Sequence, residues 1–478
     1  MVFPKNDFLR ATPESQGVSS GAIIGALEAI RASGKDIHSM LVLKNGYLIS
    51  ETYFAPYTEH TKHSMFSCSK TFTSMLIGIA QGKGLLSLSD KVASFFPDKL
   101  PAEPSENLLQ MTIRDLLHMA TGNDQDTYGH MVRSGGDWVE AFLARPVEHA
   151  PGTFFRYNTG ATYMLSAILT KVTGKTALEL ANEWIFDTIG IRFANWDASP
   201  QGISQGGTGL HLTPRQMARF GLLLLNKGNW DGRQLIPEEY VLEAQEKKID
   251  TSNHIDHPDW CSGYCYQMWR CSFGAYRADG MGGQFIVVFP EQNAVVVFTS
   301  ALGADIVFPM DVAHEHLAEA LRGNEPLPED ECAQEQLACL SKGFALPAGQ
   351  PIPAEAMANV PWGKKIVLNE KLFGIADSIT LYGGRFALGT RFGSMDFAFK
   401  WNAPILSARG IPMLFGRRRG AKVSCMASWK DGALVLRVNV LEEPATAYIT
   451  IRFEGAQASV EVKSTAFIAE QSLKGTIA

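Results

Sequence analysis

The chain has 478 residues, 46% hydrophobic and 19% charged, with 44 glycines and 23 prolines; this composition excludes wholesale disorder and fibrous classes. At roughly 150 residues per domain, the length implies two or three domains. A formal charge of -6, from 43 Lys plus Arg against 49 Asp plus Glu, excludes the basic footprint of a nucleic-acid binder.

The one tight basic run, Arg417 to Arg419, reads as a solvated hairpin tip. The first ten residues lack the basic start and apolar stretch of a secretory signal. No uncharged apolar run reaches the ~18 residues of a membrane span. Seven cysteines, an odd number thinly spread, suit free thiols in a reducing compartment, so the expected location is cytoplasmic.

In chain order, residues 18–31 read as a helix capped by Ser19 or Ser20, and 40–53 as two strands turning at Asn45-Gly46. Helical spacing recurs at 67–84, 112–120, 136–144, 160–173, 177–187 and 213–227. Apolar strands follow at 284–289 and 294–300, then an amphipathic helix at 309–321. Strands at both ends of the first 325 residues predict one sheet closing on itself. Beyond them an acidic stretch leads to Leu346-Pro-Ala-Gly-Gln-Pro-Ile-Pro353, an extended connector that sets a domain boundary at 345/346. After it, seven short strand-like runs, among them 378–388, 394–401, 433–441 and 446–454, predict a small all-β barrel or sandwich.

Four segments bear on chemistry. Gly17-Val-Ser-Ser-Gly21 matches G-x-S-x-G, but a polar segment precedes it instead of a strand, so its serines read as helix caps. Ser67-Cys-Ser-Lys70 opens a helix, and no other serine is followed by lysine three residues on. That spacing puts hydroxyl and amine on one face, where a neutral amine can take the hydroxyl proton as the oxygen attacks a carbonyl. Burial or a nearby positive charge must then lower the lysine from about 10.4 toward 7 or 8, which demands a dry cleft. The same spacing also suits a capped helix with a surface lysine.

Tyr157, just ahead of a helix, offers a phenol that can share a proton with Lys70, or is a core aromatic. Tyr276-Arg-Ala-Asp-Gly-Met-Gly-Gly-Gln284 leads into a strand, and its glycines either admit a substrate to the strand edge or form a bulge. In the first case the backbone N–H of Ser67 and one N–H of this edge can stabilise an oxyanion.

These three segments, in this order and at these separations, resemble the β-lactamase-related serine hydrolases, which include penicillin-binding proteins, class C β-lactamases, esterases and 6-aminohexanoate-dimer hydrolases. The resemblance runs from about residue 10 to 301 and includes Leu86-Ser-Leu-Ser-Asp90, Leu116-Leu-His-Met-Ala-Thr-Gly122, Thr173-Gly174, Gly206-Gly-Thr-Gly-Leu210 and Gly263-Tyr-Cys-Tyr-Gln267. It implies Ser67 as nucleophile, Lys70 as general base and Tyr157 as third catalytic residue, on an α/β (α+β) sandwich with an antiparallel sheet and a helical subdomain. It implies no metal and no cofactor.

Two departures narrow the substrate. Where β-lactam-binding members have Y-x-N, this chain has Tyr157-Asn158-Thr159, so Asn158 and Thr159 are candidates for the substrate-amide contact. No K-T-G triplet precedes Gly283; Arg277 and Asp279 are the nearest charged groups, and Arg277 is the candidate anion clamp. Met281, between glycines, is the candidate strand donor, with Gly282 and Gly283 beside the substrate.

His314-Glu-His316 lacks the i, i+4 spacing of a helical zinc site, and Cys261, Cys265 and Cys271 contain no C-x-x-C, so neither reads as a metal site. Trp260, Tyr264, Tyr266 and Trp269 wall either a pocket or the core. The expected protein has a hydrolase domain at 1–345 and a β-rich domain at 346–478. It cleaves an ester, amide or short peptide through an acyl-enzyme, with esterase or amidase work favoured over β-lactam or D-Ala-peptide chemistry. A ligand sensor on the same fold, and self-association, stay open.

Overall fold

The computed structural model describes residues 1–252, 254–303, 305–343, 352–411, 421–465 and 470–478. Most of the expected connector, the boundary at 345/346 and the Arg417 to Arg419 run lie outside the described residues.

The first helix spans Ser20–Ser33, and Ser19 caps it by accepting from the Gly21 N–H. Next, Ile37–Lys44 and Tyr47–Tyr53 form the hairpin whose turn was legible. Asn45 and Gly46 both take positive φ, 55° and 87°, as the tight primed turn requires. Ile37–Lys44 then pairs antiparallel with Ala294–Ser300, Met40 opposite Phe298 and Val42 opposite Val296. The six-stranded sheet runs Tyr47–Tyr53, Ile37–Lys44, Ala294–Ser300, Gln284–Phe289, Tyr276–Gly280, Trp269–Arg270. The early strand Ile37–Lys44 and the late strand Ala294–Ser300 meet in its centre, yet the sheet is open with two edge strands and does not close on itself.

Every residue of Ile37–Lys44 and Ala294–Ser300 is buried, so both faces are covered. The helix Pro214–Leu225 lies so close to one face that a Cβ on Gly221 would sit 2.6 Å from Val295 and 2.8 Å from Ile286. The helices between the hairpin and the later strands include Ser69–Gly82 and Thr159–Thr173, packed against each other.

Past residue 352 a second hydrophobic core forms around Ile366, Leu388, Leu436, Ile449 and Val460. It is built by an eleven-stranded sheet in which Lys365–Leu372 pairs with Gln471–Ile477, bringing the first and last strands of the domain together. The chain thus has a mixed α/β part and a separate, nearly barrel-shaped C-terminal β domain.

No helix among the described residues is long and apolar enough to cross a membrane.

Candidate active site

Ser67 sits in one 3-10 turn, Phe66–Cys68, that runs straight into the helix Ser69–Gly82. Phe66 enters the turn at φ 43°, a left-handed conformation that costs a bulky residue about 1–3 kcal/mol and persists only under constraint. The constraints are visible. Met65 N–H donates to Leu210 O at 2.8 Å, Leu210 N–H donates to Ser69 Oγ at 3.2 Å, and Cys68 Sγ donates to Gln284 O at 3.1 Å. On the strand side a Cβ at Gly280 would fall 2.4 Å from Met65 O, so only glycine lets the sheet edge lie against the turn.

Lys70 is buried, with Nζ 2.9 Å from Ser67 Oγ, 2.8 Å from Gly207 O and 3.3 Å from Thr159 Oγ1. Burial pushes its amine down to about 7, against the opposing pull of Asp126, Cys68 and Asp279. The Tyr157 ring centroid lies 4.9 Å from Nζ, and Tyr157 lines the same cavity as Ser67. Burial raises the phenol above its usual range, so it keeps its proton at neutral pH. Its ring stacks on Trp269 and meets Tyr264 edge-on, at 5.8 and 6.0 Å between centroids.

Ser67 and Tyr157 open onto a cavity of about 240 Å³ walled by Trp260, Trp269, Ile255 and Ile306, with Met281 at its rim. No lysine or arginine stands among the described residues that line it. Larger crevices of about 480 and 320 Å³ lie elsewhere and contain neither the serine nor the lysine.

The structure brings Ser67, Lys70, Tyr157, Thr159, Asp279 and Met281 together. The Met281 N–H has no protein partner among the described residues. Gly282 and Gly283, at φ 75° and 85°, form the turn between Tyr276–Gly280 and Gln284–Phe289, and Ser300 Oγ lies 2.8 and 2.7 Å from their carbonyls.

Three residues depart from expectation. Arg277 is absent from the cavity lining and fully buried. Its guanidinium donates to Asp279 Oδ2 at 3.0 and 3.2 Å and to Asp259 O at 2.8 Å, and it stacks on Trp260 at 4.3 Å. A group so fully engaged is no anion clamp. Asn158 is buried as the cap of Thr159–Thr173: Oδ1 accepts from Gly160 N and from Thr127, and Nδ2 donates to Asn123 and Thr121. Thr159 turns its hydroxyl toward Lys70. Asp279 does line the cavity, where burial raises its carboxyl despite Arg277.

Sequence reasoning missed Gly207 and Asp126. The Gly206-Gly-Thr-Gly phrase was a signal for the first: a Cβ on Gly207 would sit 2.9 Å from Thr159, so glycine alone lets this carbonyl reach the lysine. Asp126, whose Oδ1 accepts from Thr159 N–H at 2.9 Å, carried no motif. Among the described residues no group of three or more His, Cys, Asp or Glu side chains is placed to hold a metal.

Residues 15–308 match the family model described as Beta-lactamase. The 6-aminohexanoate-dimer hydrolase of Paenarthrobacter ureafaciens is 20% identical over 283 residues, 55% of this chain and 72% of that protein. The structure of a candidate 6-aminohexanoate-dimer hydrolase from Bacillus anthracis superposes with a TM-score of 0.55 at 23% identity, over 68% of this chain and 89% of the other. The octameric penicillin-binding protein homologue from Pyrococcus abyssi gives 0.51 at 16% identity, over 94% of this chain and 99% of its own. That likeness of fold extends over the C-terminal β domain as well. With its model spanning well over half of the sequence, the chain belongs to the β-lactamase family, among the β-lactamase-related serine hydrolases.

Proposed function

We propose that the protein hydrolyses an ester or amide of a small, uncharged acyl group through an acyl-enzyme on Ser67. One observation carries the reading: Lys70 Nζ lies 2.9 Å from Ser67 Oγ in a site dry enough to hold the amine near 7. A neutral amine has two N–H donors and one lone pair. Gly207 O and Thr159 Oγ1 take the donors, which leaves the lone pair for the serine proton.

In this mechanism Ser67 Oγ bonds to the carbonyl carbon as its proton passes to Lys70. The oxyanion is held by the N–H groups of Ser67 and Met281, each worth a few kcal/mol. The bond to the leaving group then breaks, the departing oxygen or nitrogen takes the Tyr157 proton, and Lys70 returns a proton to the phenol. Water repeats the sequence on the acyl-enzyme and releases the acid and free Ser67.

The cavity is mostly apolar, has no lysine or arginine among the described residues that line it, and its Asp279 carboxyl is paired with Arg277, which together support a neutral acyl group; the burial of Arg277 argues against recognition of a β-lactam carboxylate. The name of the Paenarthrobacter relative supports amides alongside esters. We assign catalysis to residues 1–345 and the β-rich domain to 346–478, and place the chain in the cytoplasm on its seven free cysteines.

A fluorophosphonate probe is expected to label the protein and not Ser67→Ala, with turnover of p-nitrophenyl butyrate or D-amino acid amides well above that of nitrocefin. Equal labelling of both proteins refutes the nucleophile; rapid nitrocefin turnover refutes the substrate class. Ligand binding without turnover returns the sensor reading.

A further inference from the structure

Among its contacts with the hydrolase part, the C-terminal β domain meets the segment before Ser67 and the turn around Gly282. Arg437 Nη2 donates to Asp36 Oδ1 at 2.7 Å, and Thr446 Oγ1 donates to Asp36 Oδ2 at 2.6 Å, with both charged side chains buried. Asp36 immediately precedes the central strand Ile37–Lys44, and its carbonyl accepts from Ala301 N–H at 2.8 Å. From there the path is short: Leu302 N–H donates to Gly282 O at 3.1 Å, and Ser300 Oγ bonds the carbonyls of Gly282 and Gly283.

The turn between Ala433–Val440 and Ala445–Glu454 makes two further contacts. Its Glu442 carbonyl accepts from Ser64 N–H at 2.8 Å, three residues before the nucleophile. Its Pro444 ring lies against Gly282, where an added Cβ would meet it at 2.9 Å. A third contact packs Thr465 O on Gly303 of the cavity wall, 1.9 Å from where a Cβ would stand.

We propose that the C-terminal domain is a working part of the hydrolytic site: its turn at 440–446 holds the segment before Ser67 and the turn around Met281 in mutual register, with Arg437 and Pro444 as positioning residues. This rests on the assignment of the Ser67 and Met281 N–H groups as oxyanion donors. The nucleophile and the glycine turn belong to distant stretches of chain, and the distance between their donors decides how well an oxyanion fits. An ångström of misplacement at such a site costs about a hundredfold in rate. The domain grips one donor segment through the Glu442 carbonyl and the other through Pro444 and the Asp36 path, so it fixes that distance without touching substrate.

The test uses the full-length chain and measures the second-order rate of fluorophosphonate labelling, which forms a phosphoryl oxyanion equivalent at Ser67 and requires no known substrate. Pro444→Gly is expected to slow labelling about tenfold and Arg437→Met more. Arg437→Lys, which restores the charge, should recover part of the rate. The pH of half-maximal labelling stays that of the wild type in Pro444→Gly, because Lys70 is untouched. With a short p-nitrophenyl ester the loss falls on kcat, and KM stays within about twofold.

Labelling of Pro444→Gly at the wild-type rate overturns the inference, even where its melting temperature has fallen, since that is the signature of a purely structural tie. Should Arg437→Met fail to fold, Pro444→Gly decides alone. A wild type that is not labelled overturns the hydrolase reading and this inference together; a labelled wild type with unaffected variants overturns only this one.

Discussion

Replacing Lys70 by methionine should abolish acylation and at the same time stabilise the protein at low pH. Burial takes the amine from an ordinary 10.5 to about 7, which corresponds to about 5 kcal/mol of disfavoured charge. Between those pH values the unfolded chain binds the proton and the folded chain does not, so the penalty is in full force below 7 and fades as pH rises toward 10.5. From pH 6 to pH 9 the wild type should therefore gain about 3 kcal/mol relative to Lys70→Met. At pH 6 the variant should be the more stable by about 2–4 kcal/mol, because the orphaned Gly207 carbonyl returns about 1–3 kcal/mol of the gain. Urea denaturation of both proteins at pH 6, 7.5 and 9 measures the difference directly. The same amine sets the chemistry: at pH 7 about half of it is free base, against about one part in three thousand for an ordinary lysine. Labelling of wild-type Ser67 should rise with pH and reach half its plateau near 7. A pH-independent stability difference between the two proteins, or a labelling midpoint near 10, would refute the argument that burial prepares the base.

Further outcomes follow from the geometry. Gly280→Ala places a Cβ 2.4 Å from Met65 O and should lower kcat about a hundredfold by displacing the nucleophile turn, read in steady-state kinetics beside a far-UV spectrum that shows intact folding. Asn158→Ala removes a buried cap and its hydrogen bonds, and should cost about 2–3 kcal/mol in denaturant unfolding while KM stays unchanged; a large rise in KM would restore Asn158 as a substrate contact. Arg277→Met leaves the Asp279 carboxylate buried without its partner and should cost about 3–5 kcal/mol, with most of the loss recovered in the double variant with Asp279→Leu.

Local signals carried well from sequence to structure. The Asn45-Gly46 turn, a serine cap at 19 or 20, and the apolar runs at 284–289 and 294–300 each depend on neighbouring residues, and each was legible. The S-x-x-K spacing needed only one helical turn to become a contact. What the sequence hid depends on residues far apart. The strand Tyr276–Gly280 was read as a glycine-rich lead-in because its alternation is masked by two buried charges, Arg277 and Asp279, which satisfy each other. Asn158 passed for a substrate contact because a cap and a ligand group have the same chemistry, and only its partners Thr127 and Asn123, some thirty residues away, tell them apart. The openness of the sheet was likewise invisible, since a hydrophobic run does not say whether its outer edge finds a neighbour.

The pairing of Ile37–Lys44 with Ala294–Ser300 also sets when the candidate site can assemble during synthesis. A central strand with one neighbour made about two hundred and fifty residues later cannot be paired on both sides early, and closing so long a loop makes folding slow. The ribosome must pass Ser300 before Ser67, Lys70 and the Gly282–Gly283 turn can share one space, so a chain terminated earlier lacks that arrangement.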